Sequence, residues 1–223
     1  MYTELHAHSN FSFLDGASPI RDLVQRAASC RMKALAITDH DGLYNACTFT
    51  RLAQEAGIKP IIGAELTFEG ERHLTFLVEN EKGYMNLSGL ITRGHLAGSK
   101  GKPVLSEAEL KGHTEGLICL SGCARSDITR LLRRGEKHAA YEAAKRYAEF
   151  FGKGNFYIEL HNHLLPEDKS LCRQLIEIAQ AAGLETVASN NVHYATRDGS
   201  ALHDVLTCIR NGVTLDRSAP FRK

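Results

Sequence analysis

An α/β fold with a parallel sheet is what this 223-residue sequence predicts, on three observations. Short β-like runs alternate with helical patterns from one end to the other, and such alternation implies parallel strands joined by crossover helices. The strand interiors are nearly continuous apolar runs, as expected of strands covered on both faces. Three helix-to-strand passages, Ala56-Gly57-Ile58, Phe151-Gly152-Lys153 and Ala182-Gly183-Leu184, each place glycine where a left-handed C-cap belongs. About seven strands leave two architectures open, a doubly wound open sheet and a closed barrel.

In chain order, Thr3–His8 reads as the first strand. Ser18 and Pro19 suit the N-cap and first position of a helix, with Leu23, Val24, Ala27 and Ala28 as its apolar stripe. Ala34–Thr38 is the second strand, followed by a helix over Tyr44–Ala56. Lys59–Leu66 and Leu74–Val78 read as strands, Gly83–Arg93 as helix, and Gly94–Lys102, rich in Gly and Lys, as a solvated connection. Gly116–Leu120 is a strand, Ile128–Phe151 is helical with a break near Gly135, Phe156–Leu160 is a strand and Glu167–Ala182 a helix. Thr186–Ser189 is the last strand, before a helix over Ser200–Arg210. No linker or internal repeat interrupts the pattern, so a single domain over residues 1–223 is expected.

With 43% hydrophobic and 24% charged residues the chain can bury a sizeable core, which excludes disorder, a collagen-like repeat and a coiled coil. No apolar run is long enough to span a membrane, and the first residues lack the layout of an export signal, so a cytoplasmic protein is expected. Six scattered cysteines without a C-x-x-C read as reduced, mostly buried thiols. The net charge of +1 does not advertise unaided binding to duplex DNA. The first strand lacks a following G-x-G-x-x-G, which lowers a dinucleotide-binding reading.

The eleven histidines gather where strands end. His6 and His8, two residues apart on a strand, project to one face, and Asn191 and His193 repeat that spacing. The second strand ends in Thr38-Asp39-His40, and Glu65 follows the third. In parallel α/β architectures the carboxyl ends of strands form the functional face, and neutral imidazoles with carboxylates suit a divalent ion. Each element alone has an ordinary explanation. Their recurrence after four strands points to a metal cluster.

The runs Thr3–Ser9, Ala34–His40 and Asn191–Tyr194 resemble the motifs of the PHP (polymerase and histidinol phosphatase) family. Phe13–Ala17, Gly57–Glu65, His73–Leu77, Glu115–Cys123 and His203–Leu206 narrow the resemblance to the amino-terminal PHP domain of bacterial family C DNA polymerases, over nearly the whole chain. The resemblance implies a distorted (β/α)7 TIM-like barrel holding two or three divalent ions, zinc, manganese or iron. The implied ligands are His6, His8, Asp15, His40, Glu65, His73, Cys123 and His193, with Asn191 where the family usually has Asp and Asp39 supporting the ligands from behind. Spacing alone reads Asp15 as a turn-forming Asp-Gly, places His73 at the start of a strand, and leaves Cys123 open between thiolate ligand and buried small side chain. Cys119 is expected to face the core. His161 and His163 read as loop or substrate-facing residues, with His163 the expected substrate contact. Solvent-exposed or capping roles suffice for His95, His113, His138 and His203.

Such a cluster is the machinery for phosphate ester hydrolysis. The resemblance implies a metal-dependent phosphoesterase module acting on a phosphate ester, with the 3′ end of single-stranded DNA as one form of it and polymerase domains as partners in cis or in trans. Two alternatives belong to other classes: a metal-binding scaffold with weak or no catalysis, for which Asn191 is the best support, and a free-standing small-molecule phosphatase of the histidinol phosphatase kind.

Overall fold

Seven α-helices and six β-strands alternate through residues 2–217, the part of the chain that the computed structural model describes. The strands hydrogen-bond in chain order: β1 Ala34–Ile37, β2 Lys59–Phe68, β3 Arg72–Val78, β4 Leu117–Leu120, β5 Phe156–Leu160 and β6 Glu185–Ala188. The helices are α1 Ile20–Ser29, α2 Ala46–Glu55, α3 Glu81–Ala97, α4 Asp127–Arg133, α5 Lys137–Phe151, α6 Asp168–Ala182 and α7 Gly199–Asn211. The chain folds as two units, residues 1–40, 44–61 and 191–223, and residues 41–43 and 62–190. Among the described residues no helix is long and apolar enough to cross a membrane.

The sheet departs from the all-parallel expectation at one strand. β3 pairs antiparallel with both β2 and β4, whereas β4, β5 and β6 run parallel. A hairpin replaces a crossover helix here, because Glu69, Gly70 and Glu71 close the link in three residues and the last two take φ of 72° and 55°. The hairpin also lengthens both strands beyond the apolar runs seen in the sequence.

In the first unit the expected strand Thr3–His8 is an extended segment held by isolated parallel bridges, Glu4 to Leu35 on β1 and Ala7 to Val192. Among the described residues six regular strands are therefore formed, not seven, with this segment as the additional extended element. α1 buries Ile20, Leu23, Val24 and Ala27, the i, i+3, i+4, i+7 stripe of an amphipathic helix. Its cap is Pro19 rather than Ser18, whose Oγ instead accepts the Ala195 N–H at 2.9 Å.

In the second unit Phe68, Phe76, Phe151 and Phe156 form a chain of aromatic contacts 5.7–6.3 Å apart, surrounded by aliphatic side chains from β2 to β5 and α3 to α6. α3 runs on to Ala97 and buries Gly94, so helix takes part of the expected loop. Of the three anticipated glycine caps, Gly57 and Gly183 take left-handed φ values of 70° and 67°, with the next residue's N–H returning to the helix (Ile58 to Ala53 O and Leu184 to Ala179 O, each at 2.8 Å), whereas Gly152 combines φ 78° with ψ 172°. None of the six cysteines is in a disulfide, but Cys30 and Cys47 are exposed, Cys172 is half-buried, and only Cys119, Cys123 and Cys208 are buried. Burial, reinforced by Glu159, holds the Cys119 thiol well above the usual range, which makes it an inert core residue.

An ion-pair network ties the 3-10 turn Glu107–Leu110 to β3, α4 and α5. Arg72 pairs with Glu107 and, at 2.7 Å, with Asp127; Arg146 reaches the same carboxylates at 3.0 and 3.2 Å, and the single Tyr147 hydroxyl proton is shared between them at 3.0 and 3.1 Å. Burial alone raises the Glu107 carboxyl, but the hydrogen bonds from Arg72 and Arg146 overcome it and leave it below the ordinary carboxylate range. Arg72→Met is expected to cost about 2 kcal/mol by removing the more buried of the two cations that serve these carboxylates, leaving them to Arg146 and Tyr147. Because the folded value is depressed, the contribution of Glu107 is complete above the unfolded carboxyl value of about 4.3 and is lost as pH falls through the folded one. Urea denaturation of both proteins at neutral and acidic pH measures this, the gap between them narrowing in acid.

Gly122, with φ 86°, is a second sensitive point: a Cβ there would lie 2.7 Å from the His73 carbonyl oxygen. Gly122→Ala is expected to cost about 2–3 kcal/mol, read by the same denaturation curves.

Candidate metal centre

In the first unit the N-terminal segment delivers His6 and His8 to one side, both fully buried. The bridge at Ala7 is made by His8 N–H donating to Val192 O and Val192 N–H donating to His6 O, each at 2.8 Å, so the backbone fixes both rings. Their Nε2 atoms stand 3.2 Å apart. Two nitrogens bound to one ion at about 2.0–2.1 Å stand about 2.8–3.4 Å apart for octahedral to tetrahedral angles.

Asp39 and two serines determine which nitrogen of His8 is free. Asp39 accepts Ser9 N–H, Ser9 Oγ–H and Ser12 Oγ–H, all at 2.7 Å. Ser12 Oγ has then spent its only proton, and it also accepts the His40 N–H at 3.1 Å. The 3.0 Å contact from His8 Nδ1 must therefore be donated by the ring, which leaves a lone pair on His8 Nε2, the atom facing His6. Asp39 thus lies behind His8, acting through Ser12.

The same reasoning applies to His193. Its Nδ1 is 2.7 Å from the Asn191 carbonyl oxygen, which only accepts, so Nδ1 carries the proton. Its Nε2 faces Asp15 Oδ2 at 3.3 Å, and His40 Nε2 faces the same oxygen at 2.8 Å. A lone pair aimed at a carboxylate oxygen is repulsive unless a cation or a second proton intervenes. The His8 ring stacks on His40 at 4.4 Å and lies 4.9 Å from His193.

Asp15 enters this group from the loop of residues 9–16, which closes by Asp15 and Gly16 N–H bonds to Ser12 O at 2.9 and 2.8 Å. A Cβ on Gly16 would fall 1.8 Å from Ser9 O, so only glycine permits the closure. The Asp-Gly pair is thus a turn, and the turn places the carboxylate. Asn191 takes φ 48°, a left-handed conformation that asparagine tolerates, and its Oδ1 is buried without a hydrogen bond. A buried amide oxygen left unsatisfied costs about 1–3 kcal/mol, which makes it a further candidate ligand atom.

Two residues of this unit were not anticipated. His203 is buried rather than exposed or capping, stands edge-on to His193 at 5.2 Å, and its Nε2 is 3.9 Å from Asp15 Oδ1. Asp15, His193 and His203 offer three ligand atoms within 4.8 Å of one another. Arg210 contacts Asp15 Oδ1 at 2.5 Å. The signal was available in the sequence: positions 203, 207 and 210 share one face of a helix.

In the second unit Glu65 on β2 and His73 on β3 meet side chain to side chain. Because β3 is antiparallel, Glu65 lies opposite Thr75 and its diagonal neighbour is His73. The start of β3 therefore lies at the carboxyl end of β2, which resolves the position that spacing alone made awkward. Cys123, buried just after β4, brings its Sγ to 3.9 Å from Glu65 Oε1.

A second group in this unit contains Glu159, at 1% exposure, which pairs with His161 at 3.1 Å and accepts the Ser189 hydroxyl; His161 Nε2 is 2.8 Å from Ser189 Oγ. Glu159 was missed, although a carboxylate inside the apolar run Phe-Tyr-Ile-Glu-Leu marks it. His163 is exposed and donates from Nε2 to Asn190 O at 2.8 Å. The buried imidazoles with fixed tautomers, the carboxylates and the unsatisfied amide oxygen fit divalent cations.

Comparison with known proteins gives the family and the fold. The PHP domain family matches residues 4–163. The error-prone DNA polymerase of Symbiobacterium thermophilum is 46% identical over 99% of this chain and 22% of its own length. The DNA polymerase III alpha subunits of Treponema pallidum and Thermus aquaticus are 40% and 36% identical, again over 99% of this chain but 20% and 19% of theirs. The chain thus spans about a fifth of the length of these relatives. Among solved structures, an amidohydrolase from Chromobacterium violaceum superimposes with TM-score 0.59 at 18% identity, covering 87% of this chain and 88% of the other. A histidinol phosphate phosphatase from Lactococcus lactis, complexed with zinc, L-histidinol and phosphate, gives 0.53 at 14% identity, over 95% and 94%. These similarities establish the shared fold, and with the sequence match they make the chain a member of the PHP domain family, related to the amino-terminal region of bacterial DNA polymerase III alpha subunits.

Proposed function

We propose that this chain is a metal-dependent phosphoesterase module of a polymerase polypeptide in the cytoplasm, acting on phosphate esters that include the 3′ end of single-stranded DNA. One observation carries the reading: the tautomers of His8 and His193 are fixed by their Nδ1 partners so that both Nε2 lone pairs turn inward, one toward His6 and the other onto the Asp15 carboxylate. Burial removes the water that would otherwise solvate such an array, and a divalent cation satisfies it.

His6, His8, Asp15, His40, Asn191 and His193 in the first unit, with Glu65, His73 and Cys123 in the second, are the proposed ligands of two or three zinc, manganese or iron ions. Bound ions supply Lewis-acid polarisation of the phosphoryl group and water acidic enough to attack it near neutral pH. The chain's own residues orient and exclude. Asp39 holds the Ser9–Ser12 turn and, through Ser12, the proton on His8 Nδ1. The Asn191 carbonyl does the same for His193. His163, exposed beside these strand ends in sequence, is the proposed substrate contact in the second unit. Polymerase segments in cis are the proposed source of DNA affinity, since the net charge of +1 offers little.

A scaffold role is the second reading, favoured by Asn191: a neutral amide oxygen attracts a divalent ion less than a carboxylate does. The two separate by experiment. Protein reconstituted with manganese should hydrolyse both a phosphomonoester and a single-stranded oligonucleotide, and chelator should stop it. His8→Ala and His193→Ala are each expected to lower the rate by at least roughly a hundredfold. Equal rates in variant and parent defeat the hydrolytic reading, whereas stabilisation by manganese in a thermal melt without turnover selects the scaffold. Asn191→Asp is expected to tighten manganese binding by roughly tenfold, measured by calorimetric titration.

A further inference from the structure

The two oxygens of Asp15 look in different directions. Oδ2 faces His40 Nε2 at 2.8 Å and His193 Nε2 at 3.3 Å, the side of the proposed ligands. Oδ1 faces α7, where Arg210 Nη1 approaches to 2.5 Å and His203 Nε2 to 3.9 Å. On that helix His203 and Thr207 are buried, and Arg210, one turn on along the same face, is the member that reaches the surface, with its side chain 30% exposed against 4% for Asp15. A permanent cation therefore spans from the solvent boundary to a buried carboxylate that is also a proposed ligand.

One carboxylate carries one negative charge. A divalent cation on Oδ2 and a guanidinium on Oδ1 would share it across a few ångströms of poorly screened interior, and they repel each other. Cation binding therefore weakens the hold of Asp15 on Arg210 and leaves a planar, multidentate donor with uncompensated charge at the edge of the site. Such a group is suited to a phosphate oxygen, which accepts the same paired N–H geometry as a carboxylate.

We propose that Arg210 exchanges anions: it neutralises Asp15 in the cation-free chain and, once a divalent cation occupies Asp15, receives a phosphate oxygen of the substrate. The proposal rests on the phosphoesterase reading and assigns it a phosphate receptor. It makes a prediction of opposite signs. Arg210 competes with the cation and assists the phosphate, whereas a brace that merely holds Asp15 in place would assist both.

Calorimetric titration of the parent chain, Arg210→Met and Arg210→Lys separates these roles, with manganese as the first titrant and inorganic phosphate added to the manganese-saturated proteins as the second. Arg210→Met is expected to bind manganese roughly tenfold more tightly and phosphate roughly tenfold more weakly. It should also melt at a lower temperature than the parent without manganese, and regain that difference with it. Arg210→Lys keeps the charge but not the fork, so manganese affinity should be unchanged and phosphate affinity several-fold lower. Weakening of both titrants in Arg210→Met, or no change in either, overturns the proposal. Should Arg210→Met fail to fold, Arg210→Lys decides alone, and phosphate affinity equal to the parent's overturns it. If the parent itself takes up no manganese, the phosphoesterase reading fails and this inference falls with it. Uptake by the parent with unmoved variants defeats the inference alone.

Discussion

Burying imidazoles against one another and against a carboxylate is the constraint on which the first unit turns. His8, His193 and Asp15 are removed from water, and the His193 nitrogen opposite its Nδ1 proton is directed at a carboxylate oxygen, an arrangement that costs free energy in an ordinary core unless a cation or a second proton lies between them. The chain commits to it through backbone and hydroxyl partners that leave no tautomeric choice at either ring. Asp39 contributes without facing the cluster itself. Three short hydrogen bonds from Ser9 and Ser12 fold the loop that also presents Asp15, so one carboxylate organises the position of another.

The second unit solves a related problem with sheet geometry. A strand that reverses direction brings its first residues beside the last residues of its neighbour, and so Glu65 and His73 meet although eight positions separate them. The turn after β4 then passes close enough to His73 to require a glycine, and this delivers Cys123 to Glu65. Away from the site, the aromatic core and the network of Arg72, Arg146, Glu107 and Asp127 hold β3 to α4 and α5, supporting the strand that carries His73.

Membership of the PHP family places these observations beside polymerase relatives several times longer than this chain. A nearly neutral module suits a setting in which the grip on nucleic acid is supplied elsewhere. Asn191 stands where the resemblance implies an aspartate, and its buried amide oxygen and its carbonyl bond to His193 Nδ1 keep the position within the group around His193. Arg210 adds a second, cationic influence on the same carboxylate that His193 faces.

Alternation of apolar strands and amphipathic helices was legible from residues alone because burial imposes periods of 2 and 3.6 on composition, and the i, i+2 pairs of histidine were legible for the same reason. The family motifs supplied Asp15, His73 and Cys123, which spacing by itself left as a turn, a strand start and a residue open between thiolate ligand and small buried side chain. Local pattern carries no strand direction, so the antiparallel β3 and the meeting of Glu65 with His73 were decided only by tertiary structure. Nor does it carry what a helix face will meet: Ser200–Arg210 was seen as a helix, but that His203 and Arg210 close on Asp15 depends on packing between segments nearly two hundred residues apart. The choice of tautomer came last, because a ring nitrogen acquires its proton from neighbours that only the folded chain provides.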